Sequence, residues 1–306
     1  MPKILITILF LFGISFIEGG YDYKEIKYGE SLVVTYDKNM GEIDWDNSGK
    51  KITFVSKSDG LSKIYYLSLF DLHINFTRNG FHSAQYINEL VNKDRVFINV
   101  MGEGTKTAYS APKWNATGRK ILAIGKTKNE TELFITTKII QGKHQTKATK
   151  IKNINTAHWK NDSTFYVVFS DKPKQLVEVS IATMKKKVLA ESNLPIIGIS
   201  KQNSVLNLAS IGGVSEYFIG SKKIIWYDLP VNGTTIWRLG RLNFVGLNYS
   251  GSAQVLDLNN AITYPFSVGE NDGTPAISRD EKFVAFYSGF VNGIIIKRLD
   301  KKFFLE

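Results

Sequence analysis

A sixfold repeat predicts an all-β chain folded as a six-bladed β-propeller, and three features of that repeat keep step along the 306 residues. Each copy opens on Trp or Ile, passes through three or four turn residues, and enters an apolar run ending in a small or polar residue. The starts are Trp45, Trp114, Trp159, Ile199, Trp237 and Ile277. The seventh following residue is apolar every time (Ile52, Ile121, Tyr166, Leu206, Phe244, Val284), and the eleventh is small or polar (Ser56, Gly125, Ser170, Ser210, Asn248, Ser288). A second apolar stretch follows 17 to 19 residues after each start, centred on Ile64, Leu133, Leu176, Tyr217, Val255 and Ile294. Each unit thus reads as strand, tight turn, strand, turn, strand, and so small a unit cannot bury its own apolar faces. Neighbours must stack and share a core.

Taken in order, Lys3, the apolar run Ile4 to Ile17 and the small residues Ser15, Gly19 and Gly20 read as an export signal over residues 1–20, too short to span a bilayer comfortably. Residues 21–306 then form a single propeller domain, with no transmembrane segment once the signal is removed. Glu30 to Asp37 predicts a strand that closes the ring on the last blade, removing the open edges of an unclosed array. The six starts lie 69, 45, 40, 38 and 40 residues apart, and about forty residues suits one four-stranded blade. The first interval is long, so residues 81–109 are an insertion, with a strand from Arg95 to Met101, or a degenerate blade. The second option gives the alternative architecture of seven blades. The Trp and Ile starts are structural, packing between blades.

The segment Trp45 to Tyr66, with Ser58-Asp59-Gly60 and Ile64-Tyr65, and the final copy, with Pro275-Ala276-Ile277-Ser278 and Asp280, resemble the WD40-like repeats of the TolB-type six-bladed propellers. The likeness runs through nearly the whole mature chain and is loosest from Trp159 to Asn260. It implies a periplasmic or secreted ring that binds protein partners in the cell envelope at one face or in its channel.

Chemistry is harder to find. No cysteine is present, which excludes disulfides, thiol catalysis and Cys-built zinc sites. No Gly-x-Ser-x-Gly elbow or paired-histidine metal motif occurs, and His73, His82, His144 and His158 are scattered. His158 stands out because it directly precedes a repeat aromatic. Asp44 and Asp46 flank Trp45 within a turn, where Asp caps the backbone, and Asp59, Asp272 and Asp280 read the same way. These observations predict no catalytic residue, no cofactor and no metal, hence a non-enzyme, with a polysaccharide lyase or hydrolase as the enzymatic alternative.

The net charge of +11 suits polyanions, although a Lys-rich solubilising surface accounts for it equally. Nucleic acid is disfavoured by the export signal and the lack of a reading motif. The local bias peaks between Lys126 and Lys152, where Lys138, Lys143, Lys147 and Lys150 either face an anion from the outer strand and loop of the second blade or simply guard a solvated edge. The expected function is therefore an exported scaffold for protein partners, with binding of an anionic polysaccharide as the second candidate. His158 and the four lysines are the candidate binding residues. Six sequons, at Asn75, Asn115, Asn129, Asn161, Asn232 and Asn248, slightly exceed chance.

Overall fold

A computed structural model describes residues 31–36, 40–58, 60–68, 97–102, 106–128, 130–140, 144–239, 242–249, 252–257, 262–265, 272–273, 275–280, 282–290 and 292–298. Residues 1–20, read from the sequence as an export signal, lie outside these residues. Every regular element among them is a strand, and the chain is an all-β propeller.

Strand β1 (Ser31–Tyr36) precedes the first repeat. The first sheet holds β2 (Met40–Trp45), β3 (Lys51–Ser58), β4 (Leu61–Ser68) and β5 (Phe97–Met101) in that order. The second holds β6 (Ala108–Trp114), β7 (Ile121–Lys126), β8 (Thr131–Thr136) and β9 (Thr146–Lys152). The third holds β10 (Ile154–Asn161), β11 (Thr164–Phe169), β12 (Gln175–Ser180) and β13 (Lys186–Glu191). A six-stranded sheet follows, of β14 (Ile196–Gln202), β15 (Val205–Phe218), β16 (Lys223–Leu239), β17 (Leu242–Tyr249), β18 (Ser252–Asp257) and β19 (Ile262–Pro265). The last sheet holds β20 (Ala276–Ile277), β21 (Phe283–Ser288) and β22 (Gly293–Arg298), and β1 completes it.

All the pairings are antiparallel neighbours in sequence except this last one, where Leu32 lies opposite Ile296. The N-terminal strand therefore closes the ring, and no sheet edge is left between the chain's two ends.

The repeat predicts six blades, or seven with one degenerate; the described residues form five separate hydrogen-bonded sheets. The difference arises in the fourth and fifth units. Strand β16 pairs with β15 over residues 223–232 and with β17 over 233–239, so it carries both units without a break. Likewise, Leu206 and Tyr217, expected on separate strands, both lie on β15, whose backbone runs extended through Gly213. A Cβ at Gly213 would stand 2.3 Å from the Trp226 ring, so this close crossing needs glycine. In the long first interval, Phe97–Met101 is the outermost strand of the first sheet, paired with β4.

The core sits between sheets. Trp45, Ile52 and Phe54 pack against Phe283, Ala285, Ile294 and Ile296 of the last sheet. Tyr66 and Val55 meet Trp114 and Ile121 of the second, where Trp114 packs edge-on to Tyr66 at 5.6 Å between centroids. Leu122 and Ile124 meet Trp159 and Phe165 of the third, and Tyr166 and Leu176 meet Ile199 and Leu206 of the six-stranded sheet. Trp45 and Trp159 also donate from Nε1 to a carbonyl on the neighbouring inner strand, Ala276 at 2.9 Å and Lys113 at 2.8 Å. The starts Trp45, Trp114, Trp159 and Ile199 are thus buried wedges between sheets. Ile277 is partly buried against the last sheet, and the side chain of Trp237 lies outside the described set.

Candidate functional site

Each inner strand (β2, β6, β10, β14, β20) ends at the turn leading to the second strand of its sheet, and side chains bind these turns together around the ring. Asp46 caps its own turn, accepting the N–H groups of Lys50 and Lys51 at 2.9 and 2.8 Å on Oδ1 and the Ser48 hydroxyl on Oδ2. Asn115 does the same one sheet on: Oδ1 accepts from Arg119 and Lys120 at 3.0 and 2.9 Å, while Nδ2 donates to Thr117 and, at 2.8 Å, to Asp162 of the third sheet. Lys120 reaches the same Asp162 at 3.1 Å, and the Asn115 amide first and Lys120 after it hold that carboxyl below its usual range. Asn115 is buried and its amide fully used, so this sequon serves as a turn.

Five side chains at this end of the inner strands come from five different sheets yet act on one another. They are Asp44 of β2, Lys113 of β6, His158 of β10, Lys201 of β14 and Arg279, which follows β20. Lys113 pairs with Asp44 at 3.4 Å, and the other Asp44 oxygen accepts the Trp114 N–H at 2.8 Å. His158 feels the charges of Lys113, Lys201 and Arg279, and Arg279 feels Asp44 and Asp46. Groups carried on sheets all around a ring meet at its axis, so this set marks the channel.

Burial is the largest cause of the shifts at His158, Asp44, Lys201 and Arg279. It pushes the His158 imidazole down to about 3, and the charges of Lys113, Lys201 and Arg279 add to the effect while the Trp159 carbonyl opposes it. It raises Asp44 despite Lys113, and it lowers Lys201, whose ammonium also faces Arg279 and Lys160. His158 lies across from Tyr166, and Tyr166 across from Glu178, in one row over three strands. Burial and the Glu178 charge push Tyr166 up to about 12, and Lys160 neutralises Glu178 at 2.8 Å. Asp46 is consumed by its turn, so among the described residues Lys113, Lys201 and Arg279 face one further carboxylate, Asp44, which Lys113 pairs. The mouth is net positive. Such a cluster holds an anion, and an imidazole titrating near 3 is a poor general base at neutral pH. Among the described residues no three His, Asp or Glu side chains come together to hold a metal.

His158 is therefore the one sequence-predicted candidate in this cluster. Lys147 and Lys150 are exposed on β9, the outermost strand of the second sheet, and Lys138 is exposed just before it, all at the opposite edge from the inner strands. Lys143, His73 and His82 lie outside the described residues; His144 bonds the Val100 carbonyl at 3.1 Å. Asp44, read from sequence as turn chemistry like Asp46, instead binds the neighbouring sheet. The available signal was the position just before each start, where Asp44, Lys113 and His158 line up. Lys201 and Arg279 lie two residues after their starts, Ile199 and Ile277.

No family model and no curated protein matches the chain. Among solved structures it is similar to the Myceliophteria thermophila Cps50 (Swd1) β-propeller domain (7% identity, TM-score 0.53, 86% of this chain and 84% of that one). It is also similar to an oligogalacturonate lyase in complex with manganese (11%, 0.51, 91% and 100%) and to a chain of a nidogen/laminin complex (11%, 0.50, 75% and 79%). Likeness at these identities defines the class as β-propeller, and its members' functions differ widely.

Proposed function

We propose that this chain is an exported, non-enzymatic propeller that binds a partner by taking an acidic group of that partner into its channel mouth. One observation carries the reading: Lys113, Lys201 and Arg279, from three sheets, act on His158 with Asp44, paired to Lys113, as the counter-charge. A protein of the cell envelope remains the first partner and an anionic polysaccharide the second; the charge cluster supports both. Among the described residues the imidazole beside the cations is His158, and its reluctance to protonate supports binding over lyase chemistry, because such a group abstracts protons poorly. We also read the six-stranded sheet as two blades joined through β16, which keeps the TolB-type count of six.

Titration of the mature chain with polyglutamate and with hyaluronate, each at low salt, tests the reading. Binding should weaken at least about tenfold in the Lys201→Ala, Arg279→Ala double variant, since hydrogen bonds to charged groups contribute about 1.5–3 kcal/mol each. Equal affinity in the variant would place the anion site elsewhere on the surface. The polymer bound more tightly identifies the partner class, and turnover of hyaluronate would overturn the non-enzymatic reading.

A further inference from the structure

Inside the positive mouth, His158 offers a feature that charge alone does not require. Its Nδ1 lies 3.0 Å from the backbone carbonyl of Trp159. A carbonyl oxygen only accepts, so Nδ1 must carry the proton and donate it. The ring being neutral, Nε2 is left as a bare lone pair, an acceptor fixed in orientation by the bond on its other side. No described residue hydrogen-bonds Nε2, and His158 as a residue keeps 7% of its surface exposed.

An acceptor set among cations is an unusual pairing. Lys113, Lys201 and Arg279 can only donate, and they satisfy an acid group; Nε2 cannot bind that acid group, because two acceptors repel. It requires a donor on the same ligand. Asp44 is occupied by Lys113 and the Trp114 N–H, and Tyr166, across the strand, stays protonated. No other group that the structure describes around the imidazole competes for its lone pair.

We propose that the channel mouth recognises a hydroxy acid: the acid group sits against Lys113, Lys201 and Arg279, and a hydroxyl on the neighbouring carbon donates to Nε2 of His158. The inference rests on the channel being an anion site and adds the second half of the ligand. It makes His158 a specificity-determining residue and no acid or base.

Malate and succinate differ by one hydroxyl beside a carboxylate and serve as matched probes, titrated into the full mature chain at pH 7 and low salt with ring-nitrogen NMR of His158 as the readout. Malate should bind about threefold to tenfold tighter, the worth of one neutral hydrogen bond, and its binding should perturb Nε2 while Nδ1 stays protonated. In His158→Phe the two should bind alike. Equal binding of both acids to the native chain would overturn the hydroxy-acid inference and leave the anion site standing. Binding of neither would overturn both. Should His158→Phe not fold, the ring spectrum of the native chain still decides: a protonated Nε2, or one indifferent to malate, sinks the proposal.

Discussion

Lowering the pH should expose His158 as a stability switch of known sign. Its imidazole titrates near 3 in the folded chain against an ordinary 6.5. Between those values the unfolded state holds a proton that the native state does not, so stability rises with pH through that window and is complete above 6.5. At about 1.4 kcal/mol per pH unit the full loss by pH 3 is about 5 kcal/mol, of which about 3.5 kcal/mol is gone by pH 4. The cause is burial first and the three channel cations second, so the effect is internal to the mouth. Urea unfolding at pH 7, 5.5 and 4, with native chain beside His158→Gln, isolates it, because all other groups titrate equally in both. Glutamine does not titrate, so the stability difference between the two should shrink by about 3 kcal/mol from pH 7 to pH 4. A difference that stays constant would mean the imidazole is solvated and charged normally, and the burial of His158 beside the channel cations would be refuted with it.

Truncating a wedge between sheets, Trp114→Ala, should cost about 3–5 kcal/mol in denaturant unfolding; a loss under about 1 kcal/mol would mean the ring is not buried there. Gly118 adopts φ +63° and a Cβ on it would stand 2.9 Å from Asp46 Oδ2, so Gly118→Ala should cost about 1–3 kcal/mol, measurable by thermal unfolding. Attraction of heparin to the outer edge is screened charge: it should vanish by about 0.5 M salt and decline gradually as Lys138, Lys147 and Lys150 are neutralised in turn. One neutralisation that abolishes it would reveal a dedicated pocket on β9. Far-ultraviolet circular dichroism should show under about a quarter helix, as propellers are nearly all strand.

The strands were legible because burial between sheets imposes a rule on single positions: Ile52, Ile121, Leu206 and Val284 have no exposed surface at all, and each occupies the same place in its repeat. Ring closure was equally readable, since the apolar segment Ser31–Tyr36 has no repeat of its own to join. The merging of the fourth and fifth units was not. A turn is expected between Leu206 and Tyr217, and only the passage of the Trp226 ring over Gly213 shows why the backbone of β15 runs straight there. The channel cluster was half visible. His158 could be found by its place before Trp159, but Lys201 and Arg279 sit 78 residues apart and are brought together by the ring's curvature, which no local pattern records. Asp44 and Asp46 carry the opposite lesson: two residues apart, Asp46 lies past the end of β2 and spends its carboxylate on its own turn, while Asp44 is still on the strand and spends its carboxylate on the next sheet.

The pairing of Leu32 with Ile296 also sets a clock. These residues are 264 positions apart, and a ribosome adding about 5–20 residues per second separates their synthesis by roughly 13 to 50 s. Through that interval Ser-Leu-Val-Val-Thr-Tyr is an apolar strand with both edges bare, the form most prone to join a strand from another molecule. Among the described strands, β22 is the one that pairs with β1 and shuts the ring. A nascent chain stalled before β22 therefore holds an open, adhesive array, and whatever keeps β1 apart from its neighbours during that wait governs the yield of closed rings.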